Sequence, residues 1–196
     1  MFYDAVKNDH GLAQDPFKAI VAPRPIAWIS TLSPAGIANL APYSFFNAFA
    51  QAPHYVAFGS GPPKDSLRNI EATGEFAVNL VPFGLREAMN ASSAHVAADE
   101  FALAGLAKAA CRLIRPPRVA ESPACLECRL YQIVPLPGDD GVAADHMVIG
   151  RVIGIHIDDG FITQGRVDTV AMQLIARLGY SEYATVSGAW RMGRPD

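Results

Sequence analysis

Between Arg24 and Ser60 the chain reads as extended segments broken by short turns, and this stretch limits the fold more than any other. "RPIAWIST" is apolar on both faces, with Ile26 and Trp28 on one and Ala27 and Ile29 on the other. That is the pattern of a strand buried on two sides. "LSPAG" turns the chain, "IANLAPYSFFNAF" runs back, "QAP" turns again and "HYVAFGS" returns. Such a meander is the local grammar of an antiparallel sheet or barrel. Within it, Asn39, Ser44 and Asn47 interrupt the apolar residues, and Pro42 removes a backbone donor. A strand that only filled a core has little use for such insertions.

The period changes after "GSGPP". In "KDSLRNIEATG", Leu67, Ile70 and Glu71 stand at helical spacing, and Gly74 is placed to cap the C-terminus. "EFAVNLV" reads as a strand, and "GLREAMNASSA" as a helix with Leu85, Ala88, Met89 and Ser92 on one face. Two long strands follow. In "CLECRLY", Leu126, Cys128 and Leu130 alternate with Glu127 and Arg129, which predicts a half-exposed face. In "HMVIGRVIGIHID", Met147, Ile149, Ile153, Ile155 and Ile157 share one face, while His146, Val148, Gly150, Val152, Gly154 and His156 share the other. The small residues of that second face leave space for something else to fill. Val167, Val170, Ala171, Leu174, Ile175 and Leu178 follow helical spacing and predict a last helix ended by Gly179. No strand–helix alternation dominates, which argues against a doubly wound sheet. The expected architecture is a mainly β, antiparallel barrel with peripheral helices, one domain over residues 1–196.

Composition excludes several function classes. With 196 residues, 51% hydrophobic and 18% charged, the chain can bury one sizeable core. A net charge of −3, with no basic excess, argues against nucleic acid as a partner. No apolar run reaches the roughly 18 residues of a membrane span, and "MFYDAVKNDHG" has neither signal-peptide nor transit-peptide character. Three cysteines fit a reducing cytoplasm better than a disulfide framework.

"GSGPPKDS", from Gly59 to Ser66, lies between a strand and a helix. Pro63 stands where a P-loop needs glycine, so this is not a Walker motif. A helix N-terminus still offers unpaired N–H groups and the positive end of a dipole, to which Lys64 adds a charge and Ser66 a hydroxyl. Two readings stay open: phosphate binding, or simple capping by Asp65 or Ser66. Cys125 and Cys128 form a lone C-x-x-C whose members point to opposite faces of a strand, a poor redox pair, and no second pair completes a zinc site. Cys111 is isolated in sequence. His10, His54, His95, His146 and His156 show no metal-ligand spacing, and a straight strand would hold the last two roughly 30 Å apart. There is no G-x-G-x-x-G, so any nicotinamide nucleotide is not held as in a dinucleotide-binding βαβ unit.

"RPIAWIST", "G-IANLAPYSFFNAF", "PPKDSLRNI" and "EFAVNLV", in this order, resemble the flavin reductase-like, FMN-binding split β-barrel family, which includes flavoredoxin-like proteins and reductase components of two-component flavin monooxygenases. "DEFALAGL" and "RLGYSEY" resemble its later blocks, so the likeness spans roughly residues 20 to 185. The resemblance implies a split barrel, a homodimer, and FMN near the subunit boundary. It places Ser30, Thr31 and Leu32 along the flavin. It makes Ser44 and Asn47 polar contacts, with Tyr43, Phe45 and Phe46 as walls, and sets Lys64, Asp65 and Ser66 by the phosphate or ribityl chain. Arg177 and Tyr183 become candidates at the cofactor edge. Short flavin reductases often carry Gly-Asp-His before a strand; here Ala144 replaces the glycine, while Asp145 and His146 remain. His146 is thereby implied as a nicotinamide contact.

The expected function is hydride transfer from NAD(P)H to FMN, with electrons passed to an acceptor such as a partner oxygenase and no catalytic acid or base from the protein. The alternatives are an FMN-dependent electron carrier or oxygen-reactive flavoenzyme without nicotinamide, and a non-catalytic flavin-binding module.

Overall fold

The computed structural model describes residues 1–94, 99–193 and 195, so His95 lies outside the described residues. A short helical turn α1 (Phe17–Ile20) precedes β1 (Arg24–Pro25), β2 (Ala27–Leu32), β3 (Ala38–Tyr43), β4 (Phe46–Gln51) and β5 (His54–Ser60). Helix α2 (Asp65–Thr73), β6 (Glu75–Asn79), α3 (Arg86–Ala91) and α4 (Glu100–Leu103) follow. The small pair β7 (Lys108–Ala109) and β8 (Arg118–Val119) precedes the long β9 (Ala124–Pro137) and β10 (Ala143–Ile157). The chain continues through β11 (Ile162–Thr163), β12 (Arg166–Val167), β13 (Ile175–Arg177) and β14 (Tyr183–Thr185).

Seven strands form one antiparallel sheet in the order β3-β2-β6-β9-β10-β5-β4. Its two edge strands, β3 and β4, are consecutive in the chain and separated only by Ser44 and Phe45. The three steps from Tyr43 to Phe46 span about 10 Å at most, so the sheet must curl until its edges nearly meet. The result is a split β-barrel. The stretch from Ile37 to Phe49 is therefore two strands on opposite edges rather than one.

The two faces of β2 go where alternation puts them. Ala27 and Ile29 enter a core with Val56, Phe58, Phe76, Val78 and Val148, into which α2 inserts Leu67 and Ile70. Ile26 and Trp28 pack on the outside against Val81, Met89 and Phe101. Helix α2 ends at Gly74 in the left-handed region (φ 71°), whose N–H closes on the Ile70 carbonyl at 2.8 Å.

Five expectations are corrected. Residues 167–178 are not a helix: turns at 169–173 lead into β13, which pairs with β1 and β14. Sheet pairing and burial of Met172 and Ile175 override the local helical period. Gly179 is not a helix cap; a Cβ there would lie 2.6 Å from that of Ala19, so glycine is needed for close approach. The space beside Gly150 and Gly154 is filled by the protein itself, by the Phe76 ring and by Glu127 with Leu113. Glu127, expected on a half-exposed face, is fully buried, and register shifts at Ile149/Gly150 and Val152/Gly154 break the simple alternation of β10.

Candidate functional site

The N-terminus of α2 is bare. Lys64 is its N-cap residue, in extended conformation, and no side chain among the described residues caps the helix, so neither Asp65 nor Ser66 plays that part. The leading N–H groups and the positive dipole end are left for a ligand. Ser66 is buried and accepts a 2.8 Å hydrogen bond from Asn39 Nδ2 on β3, leaving its own hydrogen available. Tyr43 Oη and Ser60 Oγ are buried with no hydrogen-bond partner of proper geometry among the described residues. Burial pushes the Tyr43 phenol up, an effect opposed by the nearby hydroxyls of Ser66 and Ser60. Lys64, Ser66 and Arg68 join Asn39, Tyr43 and Glu100 around a cavity of about 390 Å³. Burial raises the Glu100 carboxyl above its usual range; hydrogen bonding, including that from Leu40 N at 3.3 Å, works against this, and Asp65 and Asp99 add to it. The cradle thus holds Lys64, Arg68 in a 3.9 Å ion pair with Asp65, the leading amides of α2, and a carboxyl whose pKa is raised.

A larger cavity, of about 930 Å³, takes its walls from Phe45, Phe46 and Asn47, from Ala144 and Met147 on β10, and from Arg24. Phe45 is 43% exposed and Phe49 67%. Arg24 is buried; it donates to the carbonyls of Lys18, Val21 and Leu178, and its guanidinium lies 5.7 Å from the Phe45 ring centroid. Ser44 lines a third cavity, of about 230 Å³, together with Arg177 and Tyr183. Arg177 there donates to Tyr183 Oη and stacks on its ring at 4.5 Å.

Tyr43, Lys64, Asp65 and Ser66 therefore share one cavity, Phe45, Phe46 and Asn47 another, and Ser44 a third. Ser30, Thr31 and Leu32 line none of the three. Ser30 Oγ donates to the Pro117 carbonyl at 2.6 Å, Thr31 Oγ1 accepts from Asn69 Nδ2 at 3.0 Å, and Leu32 packs on the outer core. Asn47 Oδ1 folds back onto Ala48 N at 2.8 Å. His146 pairs with Ser60 across the β10–β5 ladder; its buried Nδ1 has no partner, and it lines none of these cavities. Sequence reading passed over Asn39, Ser60, Arg68, Glu100 and Arg24 as site residues. Asn39 carried a signal, as a polar residue in an apolar strand, and Arg68 carried one in standing four residues after Lys64. Ser60, Glu100 and Arg24 acquire their places only through the fold.

Barrel and cradle together define a split-barrel protein with an anion-receptive pocket at a helix N-terminus. Residues 21–171 match the flavin reductase like domain, and the chain belongs to that family of flavin-binding oxidoreductases. An uncharacterized protein of Halalkalibacterium halodurans is 35% identical over 182 residues, covering 89% of this chain and 87% of the relative. Nitrilotriacetate monooxygenase component B from Bacillus cereus is similar in structure, with TM-score 0.88, 27% identity and 98% of each chain covered. So is 2-nitrobenzoate 2-nitroreductase of Pseudomonas fluorescens, with TM-score 0.82, 29% identity, and 91% of this chain and 88% of that one covered. The residues present fit a flavin nucleotide. A phosphate needs the amide donors and the Lys64 charge that the cradle offers, and the Tyr43 hydroxyl, without a partner among the described residues, is a buried group in want of an acceptor.

Proposed function

We propose that this chain is an FMN-binding oxidoreductase that works as a homodimer and uses NAD(P)H as hydride donor. The observation that carries the reading is the uncapped start of α2, which carries Lys64, Ser66 and Arg68 and shares a cavity with the Tyr43 hydroxyl. Lys64, Ser66 and the leading amides of α2 would hold the phosphate, Tyr43 would donate to it, and Asn39 would orient Ser66. Phe45 and Phe46 would give the flavin an apolar wall that excludes water, with Arg24 fixing the Phe45 segment. When bound, FMN supplies two-electron chemistry, accepting hydride from a reduced nicotinamide and releasing electrons to an acceptor. The similarity to a monooxygenase component B supports a partner oxygenase as one such acceptor. The exposed aromatic residues of β4 support a second copy of the chain as the cover of the larger cavity.

A second reading, an FMN-dependent electron carrier or oxygen-reactive flavoenzyme without nicotinamide, is favoured by His146. Its ring lines none of the cavities of the site, and Ala144 replaces the glycine that precedes Asp145 and His146 in short reductases. Oxidation of NADH and of NADPH, with and without added FMN, separates the two. Turnover of either nucleotide by flavin-loaded protein is the expected result. A flavin that stays bound and yellow with both donors sinks the nicotinamide step, and a protein that takes up no FMN sinks the whole reading.

A further inference from the structure

Cys111, isolated in sequence, meets Glu127 of β9 and His156 of β10 in the fold. One donor atom from each lies within 4.8 Å of the other two. None of the three lines any of the cavities assigned to the flavin site. Glu127 is held rigidly: its carboxylate accepts from Arg112 N at 2.7 Å and Leu113 N at 2.6 Å, and it meets His156 Nε2 directly. These bonds leave room for further lone-pair donation, because a carboxylate has about four acceptor sites. The His156 side chain is 20% exposed, Glu127 1%, and Cys111 is half-buried. A cavity of about 310 Å³, floored by Glu127, Gly154 and His156, opens beside them. Gly154 lets Glu127 pack close to β10, since a Cβ there would come within 3.3 Å of Glu127 Cδ.

We propose that Cys111, Glu127 and His156 form a binding site for a borderline-soft divalent cation of the zinc class, with a fourth position open to the cavity. Thiolate, imidazole and carboxylate together suit Zn²⁺, whereas Mg²⁺ and Ca²⁺ prefer oxygen alone. One thiolate and one carboxylate balance the charge of the ion. On binding, the Cys111 thiol gives up its proton and the imidazole presents a bare Nε2, its remaining hydrogen on Nδ1. The ion replaces the direct contact between His156 and Glu127, while the two backbone bonds to Glu127 keep the carboxylate in place. Cys125 packs against Cys111 but is fully buried, and contact with Cys111 together with burial keeps its thiol protonated. It serves as a neighbour rather than a ligand.

The test uses purified full-length chain stripped of metal and titrated with Zn²⁺ against a chromophoric chelator, then with Co²⁺ followed by absorption. One ion per chain and a thiolate-to-cobalt charge-transfer band are expected. Cys111→Ser should abolish that band, and His156→Gln should weaken Zn²⁺ binding at least about 10-fold. Cys125→Ala should leave both unchanged. A wild-type chain that binds no stoichiometric Zn²⁺, or a cobalt spectrum lacking the thiolate band, overturns the site and reduces the trio to a clasp for the 111–114 loop. The wild-type cobalt spectrum decides the matter even if a variant folds poorly, and the result does not depend on flavin.

Discussion

Lys64 and Ser66 contribute different physics to the cradle, a mobile full charge and a fixed buried hydroxyl. Charge-assisted hydrogen bonds are worth about 1.5–3 kcal/mol each. The double variant Lys64→Ala with Ser66→Ala removes two of them and should therefore weaken FMN binding about 10²- to 10⁴-fold. Melting should fall by only about 2–4 °C, because the main structural loss is the acceptor of the Asn39 amide. Flavin fluorescence titration and thermal melts measure both, and unchanged flavin retention would remove the phosphate assignment. Glu100 sets a pH dependence. Its raised pKa means that the carboxyl is neutral below that value and repels a phosphate above it. FMN affinity should fall as pH rises through the folded pKa of Glu100. Glu100→Gln, which can still accept from Leu40 N, should lose that part of the dependence and bind more tightly than wild type above the folded pKa of Glu100. The phosphate's own titration is common to both proteins, so the difference between their profiles is the measurement.

At the scale of elements, β10 shows how a strand is fitted to what crosses it. Gly150 lies under the buried Phe76 ring, and a Cβ there would sit 2.3 Å from Phe76 Cζ. Phe76 is also in edge contact with Phe58, with centroids 5.7 Å apart, so the ring has nowhere to move. Gly150→Ala should destabilise the fold by about 1–3 kcal/mol, the usual cost of overpacking. Urea denaturation should show a lower midpoint with unchanged slope. Gly188→Ala, whose added Cβ meets nothing within 4 Å, serves as the neutral control. Helix α2 has two roles in the same spirit. Its apolar side plugs the barrel with Leu67 and Ile70, and its start turns bare amides toward the cradle. The local signals for α2 were consistent, from the spacing of Leu67 and Ile70 to Gly74, and it forms where they placed it. The run from Val167 to Leu178 had the spacing without a matching core, and a strand partner took it instead.

For the whole molecule, the β3–β4 bend brings the two sheet edges together and carries Phe45 beside the larger cavity. β4 is mostly exposed, with Phe49 at 67%, and exposed aromatics around a cavity mark an interaction surface. Sedimentation at micromolar concentration should show a dimer, and Phe49→Lys should shift it toward monomer with weaker FMN retention. A wild-type monomer at that concentration would refute the homodimer. No helix among the described residues is long and apolar enough to cross a membrane.

By itself the sequence determined the strands around Trp28 and Val78, helix α2 with its glycine cap, and the ordered blocks that resemble the flavin reductase-like family. Each rests on contacts close in sequence or on a side-chain period. What surrounds Lys64, Ser66 and Tyr43 was only partly legible, because alternation names a face without naming its occupant. Ser30 and Thr31 show the limit, since both hydroxyls are consumed by Pro117 and Asn69, distant partners that only folding brings near. The burial of Glu127, its meeting with Cys111 and His156, and the convergence of Asn39, Tyr43, Glu100 and the start of α2 were decided by tertiary structure alone. Sheet register and β-bulges set them, and these depend on which strands pair, a choice made by the packing of the whole chain.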